Sequence, residues 1–598
     1  MMNVKYFENR SEMEEKYTWD LEKIYKTLDD FEKDFKSVKS SLSEIVKYKG
    51  KLNSSEDILN LFKDLEKLSR IISKIMNYAH MKNDQDGSVN LYRGIQARSE
   101  QLYYEFSAAI SFVDTELIEK SDEFLNSLLK DESLKEYKFK LEGLIRSKEH
   151  ILSEEAETIL SILGSSMDAP YNISESFKNV DLKFPNTIND KNESVHLNEG
   201  NYRVFLSSKN RDVRKSAYDK LFSTYKNYST TLSTCLSTSI TNDVLYAKAK
   251  KFNSSLECSL FGNNIDKSVY INAIEVMHDN FDKIHRYIDL KKKLLNVSEL
   301  MSYDLYAPLF ENLDNDIPYE KALEISFEAL KPLGDEYLNI FKEAIDNRWI
   351  DVYTNRGKRS GAYSSGSYDT YPYILLNYSN SFNDVSTLVH EMGHSIHSYY
   401  SRKNQGFFNA SYPIFSAEIA STCNEHLLNN YMYNNSQGKD KLYFINKEIE
   451  NIRTTVFRQM LFAEFELITH EMIEKGNPLT SHEFCSIWKE LNEKYYGKTL
   501  VMDDYVSYEW SRIPHFYSAF YVYQYATGYA ASFAFSQSIL SEGKFGVDNY
   551  INNFLKMGGS NYPIEILKGA KVDMTSKVVM QNVMNRFGEL LDTLEKNI

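Results

Sequence analysis

Thr387 to Ser401 reads TLVHEMGHSIHSYYS, with three histidines and one glutamate within eight positions. At its centre stands His390-Glu391-Met392-Gly393-His394, which has the form H-E-x-x-H. On a helix, residues four apart lie one turn apart on the same face, so two imidazoles can grip one ion. Glu391, about 100° around the axis, reaches a water on that ion without ligating it. The preceding VSTLV continues the helix towards its start, where Asp384 or Ser386 is the expected N-cap. Chance alone gives such a pentad in about 2 of 100 chains of this composition. HEMIE (His470 to Glu474) and HEFCS (His482 to Ser486) are internal controls: each lacks the second histidine and reads as ordinary helix.

The third ligand lies elsewhere. His397 shares the helix face but stands about 10 Å along the axis from His390, too far for all three to hold one tetrahedral ion. It reads as a packed residue or as one beside the ligands. The metzincin pattern is excluded, since it needs Gly and His where this chain has His397 and Tyr400. No Asp or Glu occurs between Glu391 and Ala417, and the first carboxylate downstream is Glu418, in YPIFSAEIASTCNEHLLNNYM. That segment reads as a helix after Pro413. An acidic side chain among small and apolar neighbours needs a partner, and a divalent cation supplies one. Glu425, seven residues on, returns to the same face and can hydrogen-bond a ligating histidine. Two histidines and a glutamate with one open position suit catalytic zinc, one ion per chain.

Outward from this helix the chain reads as mainly α. Only 10 prolines and 23 glycines punctuate 598 residues, and apolar residues recur three and four apart through about residue 165. Asp20 and Ser55 are the expected caps of the first two long helices. APYNISESFKNVDLKFPN (Ala169 to Asn186) breaks the pattern, which places a boundary near 190. Helical spacing resumes from Asn210 to about Phe341. IDVY and YPYILLNY then read as strands, giving one small sheet just before the pentad helix.

A net charge of −15 argues against nucleic-acid binding, which needs clustered Lys and Arg. Four cysteines without a Cys-x-x-Cys pair suggest neither a thiolate metal site nor a redox motif. The charged N-terminus lacks the apolar run of a signal peptide. SAFYVYQYATGYAASFAF (Ser518 to Phe535) nearly reaches spanning length, but its tyrosines and polar interruptions read as a buried helix lining a cavity. No membrane partner and a cytoplasmic location are therefore expected. SGAYSSG (Ser360 to Gly366) reads either as a flexible turn or as an edge, Gly361, Ala362 and Tyr363 included, that pairs with substrate backbone. Neither Lys358 nor NEKYYGKT carries the glycines of a phosphate loop.

The run KRSGAYSSGSYD…PYILLN…TLVHEMGHSIHS, followed by FSAEIASTCNEHLL, resembles the thimet-oligopeptidase-like (M3) metallopeptidases, and within them the oligoendopeptidase F group. TWDLEKIY, HFYSAFYVYQYATGY (His515 to Tyr529) and GGSNYPIEILKGAKVDM extend the likeness over nearly the whole chain. The resemblance implies a large helical ellipsoid with a deep central channel. Residues 1–190 would form one wall, and residues 191–598 the zinc peptidase domain. It implies internal cleavage of short to medium oligopeptides, with His390, His394 and Glu418 on zinc and Glu391 activating the attacking water. It also implies a His and Tyr cluster opposite the zinc, with His515 and Tyr523 on the oxyanion and Tyr517 or Tyr521 as alternatives. The chain departs from a longer relative at Phe520, which stands where that relative carries a tyrosine. Two rival readings stay open: an end-trimming zinc peptidase anchored by Arg359 or Arg512, and a non-catalytic peptide-binding protein. Oligomeric state has no signature here.

Overall fold

The computed structural model describes residues 5–310 and 316–598. They are mainly helical with a few short strands, as the periodicity and the scarcity of Pro and Gly predict. The chain forms two compact units.

One unit comprises Met1–Glu149, Asp314–Met432 and Ser532–Val572. Its long helices Leu28–Val46, Ser55–Gln85 and Asn90–Ile110 pack on one another. The second buries Ile58, Leu61, Leu65, Leu68, Ile72 and Ile75, a stripe at helical spacing. The caps differ from the expected residues, by seven positions in the first long helix and by one in the second. Asp20 caps only a short 3-10 turn, while Thr27 caps Leu28–Val46 in a capping box with Asp30. Ser54, not Ser55, accepts the Asp57 N–H at 3.1 Å. The cap is the residue still in extended backbone, and of the two adjacent serines only the earlier one is.

The expected small sheet has three strands, Ile350–Asp351, Tyr373–Leu375 and Tyr363–Ser365, with Tyr373–Leu375 in the middle. Ile350 pairs in parallel with Ile374, and Ser364 pairs antiparallel with it. Tyr373, Ile374 and Leu375 are fully buried, whereas Tyr363–Ser365 is an edge strand. At the end of the first strand Asp351 is buried between Arg10 and Lys358, whose ammonium stands 2.7 Å away. The lysine is thus part of the core.

Helix Phe382–Asn404 starts at Ser381, which accepts the Asp384 N–H while the Asp384 carboxylate accepts the Ser381 N–H at 2.8 Å. Asp384 is therefore the third helical residue of a capping box rather than the cap. The helix is tied to the edge strand by a 2.8 Å bond between Ser364 and Ser395 hydroxyls. It also packs on the turn Leu555–Met557. Just beyond, Gly559 donates its N–H to the Asn409 carbonyl at 2.8 Å, where any side chain would overlap the Ser411 carbonyl.

The other unit comprises His150–Leu313, Tyr433–Ala531 and Asp573–Ile598. Helix Arg458–Glu474 packs against Ser229–Ala249, Lys267–His278 and Ser481–Tyr496, and Lys577–Lys596 packs on Gly438–Ile452. Asn210 caps Arg211–Asn227 as the resumed helical pattern predicts. Helix Tyr523–Glu542 covers most of the tyrosine-rich stretch. Among the described residues no helix is long and apolar enough to cross a membrane.

Candidate active site

Two helices build the site within one unit: Phe382–Asn404 brings His390, Glu391 and His394, and Ile414–Asn435 brings Glu418 and Glu425. Their crossing is very close. A Cβ on Gly393 would stand 2.6 Å from the Ser421 Cα and 2.7 Å from the Ala420 carbonyl oxygen, so only glycine admits this approach. Asn424 locks the crossing. Its amide donates to the Val389 carbonyl at 2.9 Å, and its oxygen accepts the Tyr337 hydroxyl at 3.0 Å, all buried.

The consequence is a convergent ligand set. Glu418 Oε2 lies 3.5 Å from His390 Nε2 and 3.7 Å from His394 Nε2. The three ligand atoms fall within 4.8 Å of one another. Ligands held about 2.1 Å from one tetrahedral ion stand about 3.4 Å apart, so the residues fit a zinc-sized cation. Behind them Glu425 Oε1 bonds His390 Nδ1 at 2.9 Å, which turns Nε2 towards Glu418. The Ser421 hydroxyl donates to Glu418 Oε2 at 3.2 Å.

The electrostatics agree with that fit. In the metal-free protein, burial works against a charged His390, yet Glu425, Glu391 and Glu418 carry its pKa up to about 9. Burial and the His390 charge hold His394 down to about 3. The surrounding carboxylates thus favour positive charge at His390. Burial also pushes Glu391 up to about 7, His390 acting against it, with a backbone hydrogen bond from Ser364 as a further opposing cause.

His397 is buried and stacked on Tyr412 with ring centroids 3.8 Å apart. Neither of its ring nitrogens has a hydrogen-bond partner among the described residues. It is a packing residue, as one of the two sequence readings has it.

His390, Glu391, His394 and Glu418 line a cavity of about 700 Å³ together with Ala362 and Tyr363. A second cavity, of about 750 Å³, shares Tyr363, Ser364, Gly366 and Ser367 with it and is walled by Ile72, Met76, Met81 and Phe106. Gly361 sits in the left-handed region at φ +83°, and its carbonyl accepts the Asn377 amide at 2.8 Å. The Tyr363 hydroxyl donates to Asp84 at 2.8 Å. Within SGAYSSG, Tyr363–Ser365 forms the edge strand.

The segment His515–Tyr529 belongs to the other unit. Tyr523, the first choice among its tyrosines, is only 2% exposed, with its ring 5.1 Å from that of Tyr270. Tyr517 packs beside Tyr171. The ring of Tyr521 lies parallel to that of His515 at 6.1 Å, and the Tyr525 hydroxyl stands 3.4 Å from His515 Nε2. A run of tyrosines in YVYQY does not show which one turns towards His515, so the Tyr525 approach is not legible in sequence. Gly393 was missed because its need is created by the second helix.

The profile of Peptidase family M3 matches residues 204–586, and that of Oligopeptidase F matches residues 116–184. Oligopeptidase PepF of Bacillus subtilis (strain 168) is 42% identical over 593 residues, covering 98% of this chain and 88% of that one. An oligoendopeptidase F homolog of Lactococcus lactis subsp. lactis (strain IL1403) is 40% identical over 592 residues, covering 98% of both. The crystal structure of a putative peptidase from Chlamydophila abortus superposes with a TM-score of 0.94 at 34% identity, covering 99% of this chain and all of that one. That of oligoendopeptidase-F from Enterococcus faecium gives 0.73 at 34%, covering 95% of this chain and 99% of that one. With a His-His-Glu cluster built on crossing helices, and relatives matched end to end, the chain belongs to peptidase family M3, in its oligopeptidase F group, and is a peptidase.

Proposed function

We propose that this chain is a zinc-dependent endopeptidase that cuts internal bonds of short to medium oligopeptides. One observation carries the reading: His390, His394 and Glu418 converge at ligand distances, with Glu391 in the same cavity and Glu425 behind His390. His390, His394 and Glu418 would hold the ion. When bound, zinc supplies Lewis acidity that lowers the pKa of a water and polarises a carbonyl. Glu391 takes the proton of the attacking water and returns it to the leaving amine, a role open to a carboxylate lining the same cavity as the ligands. Glu425 keeps His390 in the tautomer that presents Nε2. The edge strand Tyr363–Ser365 offers main-chain groups to an extended peptide, which recognises backbone rather than one side chain. The family resemblance carries the assignment of His515 as a donor to the oxyanion, and the bond at His515 favours Tyr525 over Tyr523 as its companion.

The test follows products by mass spectrometry on a peptide of about ten residues blocked at both ends, a length chosen for a pocket-confined substrate. Internal cleavage that stops with chelator and returns with zinc is the expected result. A second reading, end-trimming, draws on Arg402, a cation lining the same cavity whose guanidinium donates to the Gly366 and Thr370 carbonyls. Of the anchors expected from sequence, Arg359 is paired with Asp84 and Arg512 with Glu199. Cleavage only of peptides with a free C-terminus would favour that reading.

A further inference from the structure

Between the 3-10 turn Pro514–Tyr517 and helix Tyr523–Glu542 the backbone reverses at Phe520, which sits at φ +55°. Bulky side chains rarely adopt this left-handed conformation, so something must hold it. The Phe520 N–H donates to Glu466 Oε1 at 3.0 Å. Glu466 is 1% exposed, and its other carboxyl oxygen has no hydrogen-bond partner among the described residues. Burial pushes this carboxyl well above the usual range, the Phe520 N–H acting the other way and Asp243 adding to the rise. One turn on, His470 is anchored by its own Nδ1 to the Glu466 carbonyl at 2.8 Å, and its ring stands 4.5 Å from that of Phe520. Tyr270 closes the other side, its ring 5.7 Å from Phe520. The neighbouring Ala519 carbonyl accepts the Ser259 hydroxyl at 2.9 Å. His470, the first residue of HEMIE, thus lies beside the turn that joins His515 to Tyr521 and Tyr525.

We propose that Glu466 is a positioning residue: its buried carboxyl holds the Phe520 N–H, and with it the left-handed turn that sets His515 against Tyr521 and Tyr525. The inference rests on the reading that His515 takes part in hydrolysis. A buried carboxyl spent on one backbone amide has an apolar alternative, because any residue that favours positive φ at 520 would dispense with it. What the carboxyl adds is a fixed turn bearing a phenyl ring that fills the space between Tyr270 and His470.

The experiment is a cycle of Glu466 and His515 variants, with kcat, KM, bound zinc and thermal melting measured on the full chain. Glu466→Met removes the acceptor while keeping side-chain length, and is expected to lower kcat by about 10- to 100-fold with KM little changed, as misplaced donors do. Glu466→Gln, which keeps the acceptor oxygen in a neutral group, is expected to recover most of kcat. The Glu466→Met/His515→Ala double variant should fall no further than His515→Ala alone, because both act through one group. Losses that add in full would overturn the inference, as would an unimpaired kcat in Glu466→Met beside an impaired His515→Ala. An unimpaired His515→Ala would instead remove the reading of the segment on which the inference stands. Glu466→Asp draws the carboxyl back by one methylene and serves the same comparison if the Met variant does not fold.

Discussion

At the residue scale, the pentad speaks for itself because its spacing is local. His390, Glu391 and His394 were readable as one helix face, and Glu418 and Glu425 as the next carboxylates able to meet it. Glu391→Gln should keep its zinc and lose about 100- to 10,000-fold in kcat, the range that a general base contributes, as measured by turnover beside metal analysis. Glu425→Gln should weaken zinc affinity by about 10- to 100-fold, read by competition with a chromophoric chelator, since the His390 Nδ1 bond loses its charged partner. Tyr525 was not readable in the same way. Its place beside His515 depends on the Phe520 turn, and no spacing rule announces a phenylalanine with positive φ.

At the scale of elements, the sequence foretold the helices better than their ends. Two shifted caps have the same origin: capping residues cluster at the break, and backbone conformation selects one of them, as Ser54 over Ser55 and Ser381 over Asp384. The crossing of the two site helices was invisible, because it rests on what a residue lacks. Gly393→Ala should destabilise the protein by about 1–3 kcal/mol, since the new methyl meets main-chain atoms that cannot swing aside. The same substitution should reduce bound zinc per chain, seen by metal analysis, because Glu418 moves with its helix. The sheet makes a separate prediction. Asp351→Ala leaves Lys358 charged and buried and should cost about 3–5 kcal/mol in denaturant unfolding.

For the whole molecule, the mainly helical class followed from composition and periodicity, whereas the tracing of the chain through its two units did not. Which distant segments come together depends on tertiary pairing that no window of sequence contains. Removing the metal should both abolish peptide cleavage and lower thermal stability. Zinc at about 100 times its Kd contributes about 2.7 kcal/mol to the folded state, so a melt with and without chelator should separate clearly. The unit that bears His390, His394 and Glu418 also draws on Ser532–Val572, and helix Phe382–Asn404 packs on Leu555–Met557, with Gly559 bonded to Asn409 close by. A nascent chain that has already released His390, His394 and Glu418 from the ribosome still lacks this buttress until some 150 further residues have been translated. The packing beneath helix Phe382–Asn404 is thus completed only after the residues it supports have been translated.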